Sequence, residues 1–198
     1  MNESVKAKES TCATVLRCGD LFESAEAHGH YEVKCYAADG ALKWEDVIEN
    51  TVMTEGKNFM LDAALAGSSY TVAGPYMGLI SSVSYSAISA ADTAAQINGT
   101  NAWKEAGSST NFPLYTTPRK TCAWSSASAG SKALSAALLF PIITTGGTVK
   151  GCFIVFGTGA VSTIADTNGK LWSAGLFSAG DKVVSVSDTL QVSFSTSL

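Results

Sequence analysis

The sequence has few charged residues for its length. Asp, Glu, Lys and Arg make up 15% of the chain, whereas soluble globular proteins carry roughly 25%. Ser, Thr, Gly and Ala must therefore cover much of the surface, and such a surface loses its hydration at low cost. This composition is typical of all-β structural proteins and favours a chain that packs against other protein.

Clusters of basic charge are missing. Lys and Arg number 13 against 17 Asp and Glu, which gives a net charge of -4. Beyond the scattered Lys6 and Lys8, the adjacent basic pair is Arg119-Lys120. Binding to nucleic acid through counterion release needs clustered cations, so we expect no nucleic acid partner.

Long apolar runs are absent as well. No stretch approaches the roughly 20 apolar residues that a membrane helix needs. The first residues, from Met1 to Lys6, lack the apolar core of a signal peptide. The sequence therefore predicts a chain that is made in a cytoplasm and has no membrane partner.

The cysteines form no recognisable metal or disulfide pattern. Their number is odd, no two have the Cys-x-x-Cys spacing, and the closest pair is six residues apart. In a reducing cytoplasm we expect free thiols, with Cys152 as a small buried hydrophobe. The five are Cys12, Cys18, Cys35, Cys122 and Cys152.

Motifs of the common enzyme classes are also missing. The chain has no Gly-x-Ser-x-Gly elbow, no Ser-x-x-Lys pair and no phosphate-binding loop. The isolated Gly157-Thr158-Gly159 is interpreted as a bend at a strand end. Two carboxylates for sugar hydrolysis need no proximity in sequence, but Asp46, Asp62 and Asp92 are better explained as turn, helix and loop residues. We expect no catalytic residues.

No metal or cofactor site is predicted. His28 and His30 could lie on one side of a strand, but beyond Glu26 and Glu32 no further ligand stands nearby, so we interpret them as exposed residues entering a hairpin. The run Asp166-Thr167-Asn168-Gly169 opens like a calcium loop yet lacks the remaining ligands, and we interpret it as a turn.

Alternating residues predict a β-hairpin at residues 30–45. Apolar residues occupy every second position of its first strand, and Asp39-Gly40 supplies the turn because both residues tolerate positive φ. A two-stranded ribbon is marginal alone, so it must lean on the main domain or on a neighbour. The positions expected to face inward are Tyr31, Val33, Cys35, Leu42 and Trp44.

Residues 54–66 are the best helix candidate. Apolar residues there fall at helical spacing, and Gly67 follows the last turn, where a left-handed cap favours glycine. The face with Phe59, Met60 and Leu61 is expected to bury against a sheet.

From residue 70 onward, short apolar or alternating runs separated by glycine turns predict a β-sandwich or jelly roll. The run Cys152–Phe156 is apolar on both faces and should be a central strand. Strands are predicted at 76–80, 121–125, 133–143, 148–156, 171–177, 182–186 and 189–195.

The predicted organisation is one mainly β domain, 28–198, preceded by an N-terminal arm, 1–27. The domain comprises the hairpin 30–45, one short α-helix at 54–66 and the sandwich 70–198. The polar stretch 82–111 is long for a loop in a compact domain and is a candidate contact loop. Within it, residues 90–97 could form one or two helical turns.

Tyr31, Trp44 and Trp103 are the residues that we expect to contact a partner. Exposed aromatic side chains anchor protein interfaces or stack on sugars. Trp103 lies in the long polar stretch, and the other two lie on the hairpin, whose strand edges can add to a neighbour's sheet. For Trp124 and Trp172, which lie in strand-like runs, core packing is expected.

A series of sheet and turn residues spans roughly residues 28–198. It comprises His30–Cys35, Asp39-Gly40, Lys43-Trp44, Asn50, Gly56–Asn58, Tyr76–Ile80, Ala102–Glu105, Arg119-Lys120, Trp124, Gly147–Gly151, Leu171–Phe177 and Gly180-Asp181. This series resembles a family of small structural proteins of tailed bacteriophages. The resemblance implies a part of the virion and leaves its position in the particle open.

The expected function is therefore structural. The first hypothesis is a capsid decoration or cement protein that bridges major capsid subunits, with homo-oligomerisation left open. A second is a tail, neck or fibre component of the same virion. A third, of another class, is a carbohydrate-binding module or glycan hydrolase.

Overall fold

Over the part of the chain that the structure describes, the fold consists of two antiparallel sheets and one α-helix. The computed structural model describes residues 27–65, 73–98, 103–116 and 118–197. Apart from Ala27, the predicted N-terminal arm lies outside the described residues.

The helix is α1 Thr54–Leu65, and a short 3₁₀ helix spans Ala94–Gln96. The strands are β1 His28–Tyr36, β2 Leu42–Glu49, β3 Thr51–Val52, β4 Tyr76–Ser81, β5 Lys104–Glu105, β6 Lys120–Thr121, β7 Ser131–Ala133, β8 Leu138–Pro141, β9 Gly147–Phe156, β10 Lys170–Leu176, β11 Lys182–Val184 and β12 Thr189–Ser197.

Sheet A joins the first and last described strands. β1 lies between β2 and β12, and both β7 and β8 pair with β12. The β1–β12 ladder runs from His28 opposite Ser197 to Tyr36 opposite Thr189. The predicted hairpin is confirmed, but it is an integral part of the sandwich. Placing the start of the sandwich at residue 70 is therefore wrong, because the inward residues of β1 belong to the common core.

The hairpin turn has the predicted chemistry. The Asp39 carboxylate accepts a hydrogen bond of 2.9 Å from the Ala41 amide. Gly40 has a φ of +84° and nothing within 4 Å of an added Cβ, so backbone conformation rather than crowding requires glycine there. A bulge between Cys35 and Tyr36 shifts the register of the two strands.

Sheet B is buried on both faces around its central strand, β9. Its order is β3-β10-β9-β4-β5, with β11 also on β9 and β6 also on β4. The residues from Gly151 to Phe156 are all buried, which confirms the prediction from their unbroken apolar run. Gly157 and Gly159 follow with positive φ and form the predicted bend at the strand end.

The main core lies between the two sheets, and the predicted mainly β sandwich is confirmed. Tyr31 of sheet A and Ser173 of sheet B share a 2.6 Å hydrogen bond across the layers. The Tyr31 ring also contacts Phe194, with ring centroids 4.5 Å apart. Buried residues of this core include Val33, Cys35, Met77, Leu79, Val149, Cys152, Ile154, Leu190 and Val192.

The helix is found where it was predicted, but its orientation differs. Leu61 is 57% exposed and Leu65 80% exposed, so the expectation that Leu61 is buried is wrong. Gly56 is the buried position, since a Cβ there would lie 3.0 Å from the Trp172 carbonyl oxygen. This close approach sets the first turn of the helix against β10 and turns its later residues outward.

The smaller elements are shorter than predicted. The 121–125 strand is reduced to β6 and an isolated bridge from Trp124 to Leu134. The helical turn expected within 90–97 is the 3₁₀ helix, in which Thr93 and Gln96 form a capping box. In the described part of the chain, no helix is long and apolar enough to cross a membrane.

Candidate protein-binding surfaces

Tyr31 and Trp103, two of the three residues expected to contact a partner, are fully buried. Tyr31 lies between the sheets. Trp103 packs on Phe153, with centroids 5.5 Å apart, and its indole donates a 2.8 Å hydrogen bond to Asp92. Assigning either residue to a surface contact is wrong, because both side chains form the interior.

Part of the stretch 82–111 packs on the outer face of sheet B, while other described residues of it are exposed and its role as a contact loop stays a prediction. Ala94, Ile97 and Trp103 form a second core with residues of β9 and β10. This part of the stretch is ordered by packing, since the apolar outer face of sheet B must be covered by other residues.

Trp44, the third residue, lies at the surface of the edge strand β2. It is partly buried, its ring meets Phe177 edge-on with centroids 5.6 Å apart, and its indole donates to the Val183 carbonyl at 3.3 Å. The Lys182 ammonium lies 5.7 Å from its ring centroid. Its role in partner contact stays a prediction.

Asp46 lies two residues after Trp44 on β2. It connects the segment that precedes β11, at Ser178 and Ala179, to sheet A. Its carboxylate accepts hydrogen bonds from the Ser178 hydroxyl at 2.8 Å and the Ala179 amide at 3.2 Å, and it pairs with Lys182 at 2.8 Å. Burial acts to raise the pKa of Asp46, but these hydrogen bonds outweigh it and hold that pKa below its ordinary value.

Asp188 fixes the crossing from β11 in sheet B to β12 in sheet A. Its buried carboxylate accepts from the Ser185 amide at 2.7 Å and pairs with the Lys43 ammonium. The Cys35 thiol approaches the same oxygen at 3.8 Å. The start of β2 is thereby tied to the β11–β12 turn.

Five of the exposed large apolar side chains lie at this end of the sandwich, which we call the apolar end. They lie on the segments that Asp46 and Asp188 tie together or on the turns beside them. Gly147 pairs with Val184 of β11, and a Cβ added at Gly147 would lie 2.8 Å from the Cβ of Phe112. The Ser187 amide donates a hydrogen bond to the carbonyl of Ile142. Phe112 and Ile143 therefore lie close to β11 and the turn that follows it. The five side chains, between 37% and 66% exposed, are Leu42, Phe112, Ile143, Val183 and Val186.

At the opposite end of the sandwich, α1 and the two sheets enclose an apolar groove of about 460 Å³, which we call the aromatic groove. Its volume falls in the range of roughly 300–1,000 Å³ that is usual for ligand sites. Its apolar lining includes Phe59, Met60, Pro75, Trp124, Ile154, Phe156 and Trp172, and its polar lining comprises Ser131, Lys132, Thr196 and Ser197. Trp124 and Trp172, for which core packing was expected, are partly buried and pack against the main core, and both also line this groove.

Residues considered for metal binding lie in ordinary structural settings. His30 Nδ1 is 3.1 Å from Glu49 Oε1, across the hairpin. Asp166 accepts hydrogen bonds from the amide and side chain of Asn168, which confirms the predicted turn. Within the described ranges, no three His, Cys, Asp or Glu side chains come together as a metal site; Glu26 lies outside them.

The described cysteines are buried thiols of low reactivity. Burial raises the pKa of Cys122 to about 12, and burial followed by the nearby Asp188 charge raises that of Cys35 to about 11. Cys152 is fully buried and its pKa is raised further for the same reason. Since the thiolate is the nucleophile, these residues are poor candidates for covalent chemistry; Cys12 and Cys18 lie outside the described residues.

The three acidic residues considered for sugar hydrolysis lie on separate elements. Asp46 is on β2, Asp62 is on α1, and Asp92 accepts a hydrogen bond from the buried Trp103.

No protein-family model, curated protein or solved structure matches this chain. The surface features above are therefore the basis for a function.

Proposed function

We propose that this protein is a structural component of a virion. The observation that carries the proposal is the apolar end, where five large apolar side chains stay exposed on the segments that Asp46 and Asp188 tie together or on the turns beside them. Large apolar patches on a soluble protein mark interaction sites. Such a surface suits permanent contact with other protein.

Within this class, we propose a capsid decoration protein that bridges neighbouring major capsid subunits. The resemblance of residues 28–198 to small structural proteins of tailed phages supports this choice. The low charge of the chain, 15%, also supports it, because a surface of small polar residues is cheap to desolvate. The proposal includes no catalytic step.

The physical basis is repeated burial of modest surfaces. A specific interface buries about 1,600 Å² in total, and each apolar Å² removed from water contributes about 25 cal/mol. A copy that touches two or three shell subunits gains avidity without any strong single contact.

The direct test mixes the purified chain with shells that lack it. We expect saturable binding at hundreds of copies per particle and a higher melting temperature of the shell. Absence of both effects contradicts the decoration role. A count of about a dozen copies or fewer in purified virions would instead favour the tail, neck or fibre alternative.

A further inference from the structure

We propose that the aromatic groove is occupied by the protein's own N-terminal segment, with Leu21 and Phe22 inserted between α1 and Trp124. This inference is independent of the proposed virion role. It rests on where the described chain begins, on the length that precedes it, and on the chemistry of the two surfaces.

The first described strand begins next to residues that line the groove. His28, the first residue of β1, lies opposite Ser197, and Ser197 lies opposite Ser131 of β7. Ser131 and Ser197 both line the aromatic groove. β1 therefore begins beside the aromatic groove.

The spacing allows Leu21 and Phe22 to reach the groove walls. Phe22 is six positions before His28, and an extended chain advances up to about 3.3–3.6 Å per residue, so the connection spans up to about 20 Å. A groove of about 460 Å³ has room for a leucine and a phenylalanine side chain.

The local sequence matches the groove in polarity and charge. Leu21 and Phe22 are apolar and stand between Asp20 and Glu23, with Glu26 further on. Most of the groove lining is aromatic or aliphatic, and Lys132 is its one charged lining residue. Apolar side chains can therefore enter the groove while the acidic residues stay at its mouth near a lysine.

The other apolar pair of the segment fits less well. Val15 and Leu16 are followed by Arg17, which carries the same charge as Lys132. They are also farther from His28 along the chain. The groove should therefore select Leu21-Phe22 over Val15-Leu16.

The test is photo-crosslinking in the full-length chain, with p-benzoylphenylalanine in place of Phe22. We expect crosslinks within one molecule to groove residues such as Met60 and Trp124, mapped by mass spectrometry. The matched control carries the same crosslinker in place of Leu16 and should react with the groove about tenfold less, because its local concentration there is lower.

A second pair of variants separates the groove from the rest of α1. Met60→Glu places a carboxylate in the groove wall and should reduce the crosslink from position 22 about tenfold. Leu65→Glu, on the exposed side of the same helix, should leave it unchanged. Crosslinks from position 22 to other surfaces, or between two copies of the chain, would overturn the assignment.

Discussion

Glu105 and Arg119 carry opposite charges in the interior, and their side chains have no exposed surface. The guanidinium donates to both carboxylate oxygens at 2.8 Å and lies 5.4 Å from the Phe153 ring centroid. Glu105 also accepts from the Ala165 amide at 2.7 Å. Burial raises the pKa of Glu105, while Arg119 acts in the opposite direction. The two buried charges are therefore stabilised only when both partners and their hydrogen bonds are in place.

Removing one member of this pair should be costly. We expect Arg119→Met to lower the free energy of unfolding by about 3–5 kcal/mol, because it leaves a buried carboxylate without its cation. Urea unfolding followed by tryptophan fluorescence measures the change. The double variant Glu105→Gln/Arg119→Met removes both charges and should recover much of the loss. A cost below about 1 kcal/mol for the single change would contradict this account.

Asp46 should make the protein sensitive to acid. Its folded-state pKa is lowered, so its contribution is present above the unfolded value of 3.8 and is lost as pH falls through the folded pKa. We expect Asp46→Asn to destabilise the protein by about 1–3 kcal/mol at pH 7 and by progressively less below about pH 4. Thermal melts across pH 7 to 2.5 measure both effects.

Glu45→Gln is the control for this prediction, since Glu45 is an exposed carboxylate on the same strand with a 3.4 Å pair to Lys34. Exposed pairs of this kind contribute about 0–1 kcal/mol. A constant difference between Asp46→Asn and wild type at all pH values would show that the carboxylate charge plays no part.

At the residue scale, alternation predicted which β1 side chains face inward, but not what they do there. Alternation puts Tyr31 on the inward face, which makes its expected role in partner contact wrong, and its hydroxyl partner, Ser173, is 142 positions away. Arg119 stood next to Lys120 as a basic pair, and its buried partner follows from tertiary structure alone. Trp103 lies in a polar stretch whose local composition gives no sign of the sheet beneath it.

Among the elements, α1 is anchored in its first turn by Glu55. The carboxylate accepts from the Leu171 amide at 2.9 Å and the Ala94 amide at 3.3 Å, and it pairs with Lys170 at 3.0 Å. With Gly56 against Trp172, these contacts position the helix that forms one wall of the aromatic groove.

Glu55→Ala should loosen this helix. We expect a loss of about 1–3 kcal/mol, because two backbone amides lose a charged acceptor, together with faster amide hydrogen exchange throughout α1. Asp62→Ala removes an exposed carboxylate from the same helix and should change stability by less than about 0.5 kcal/mol. Equal exchange rates in the two variants would contradict the anchoring role of Glu55.

Elements with a strong internal pattern were predicted best. β9, β12 and the hairpin follow directly from apolar runs, alternation and a glycine turn. The helix was found within one residue, but its buried face was not, because a glycine contact and a carboxylate set its orientation. Strands such as β6 and β7 are two and three residues long, and partner strands alone define such short segments.

For the whole molecule, the two ends of the sandwich differ in construction. The apolar end is built from strand ends and turns, partly fastened by Asp46 and Asp188, with its side chains exposed. The aromatic groove is concave and lies where the described chain begins. One end therefore suits contact with a separate protein, and the other suits an inserted segment. Neither surface was predicted from sequence, since each combines segments that are distant along the chain.

The apolar end makes the last prediction. Val183→Ser/Val186→Ser removes two of its exposed valines and should leave the stability of the isolated protein within about 0.5 kcal/mol of wild type. If this end is the shell contact, the loss of buried apolar surface at about 1.5 kcal/mol or more per valine lowers affinity for shells at least about tenfold per site. Leu61→Ser, an exposed apolar change on α1 at the other end, should bind as wild type does. Titration of shells with each variant measures the affinities, and equal occupancy by all three proteins would place the shell contact elsewhere on the sandwich.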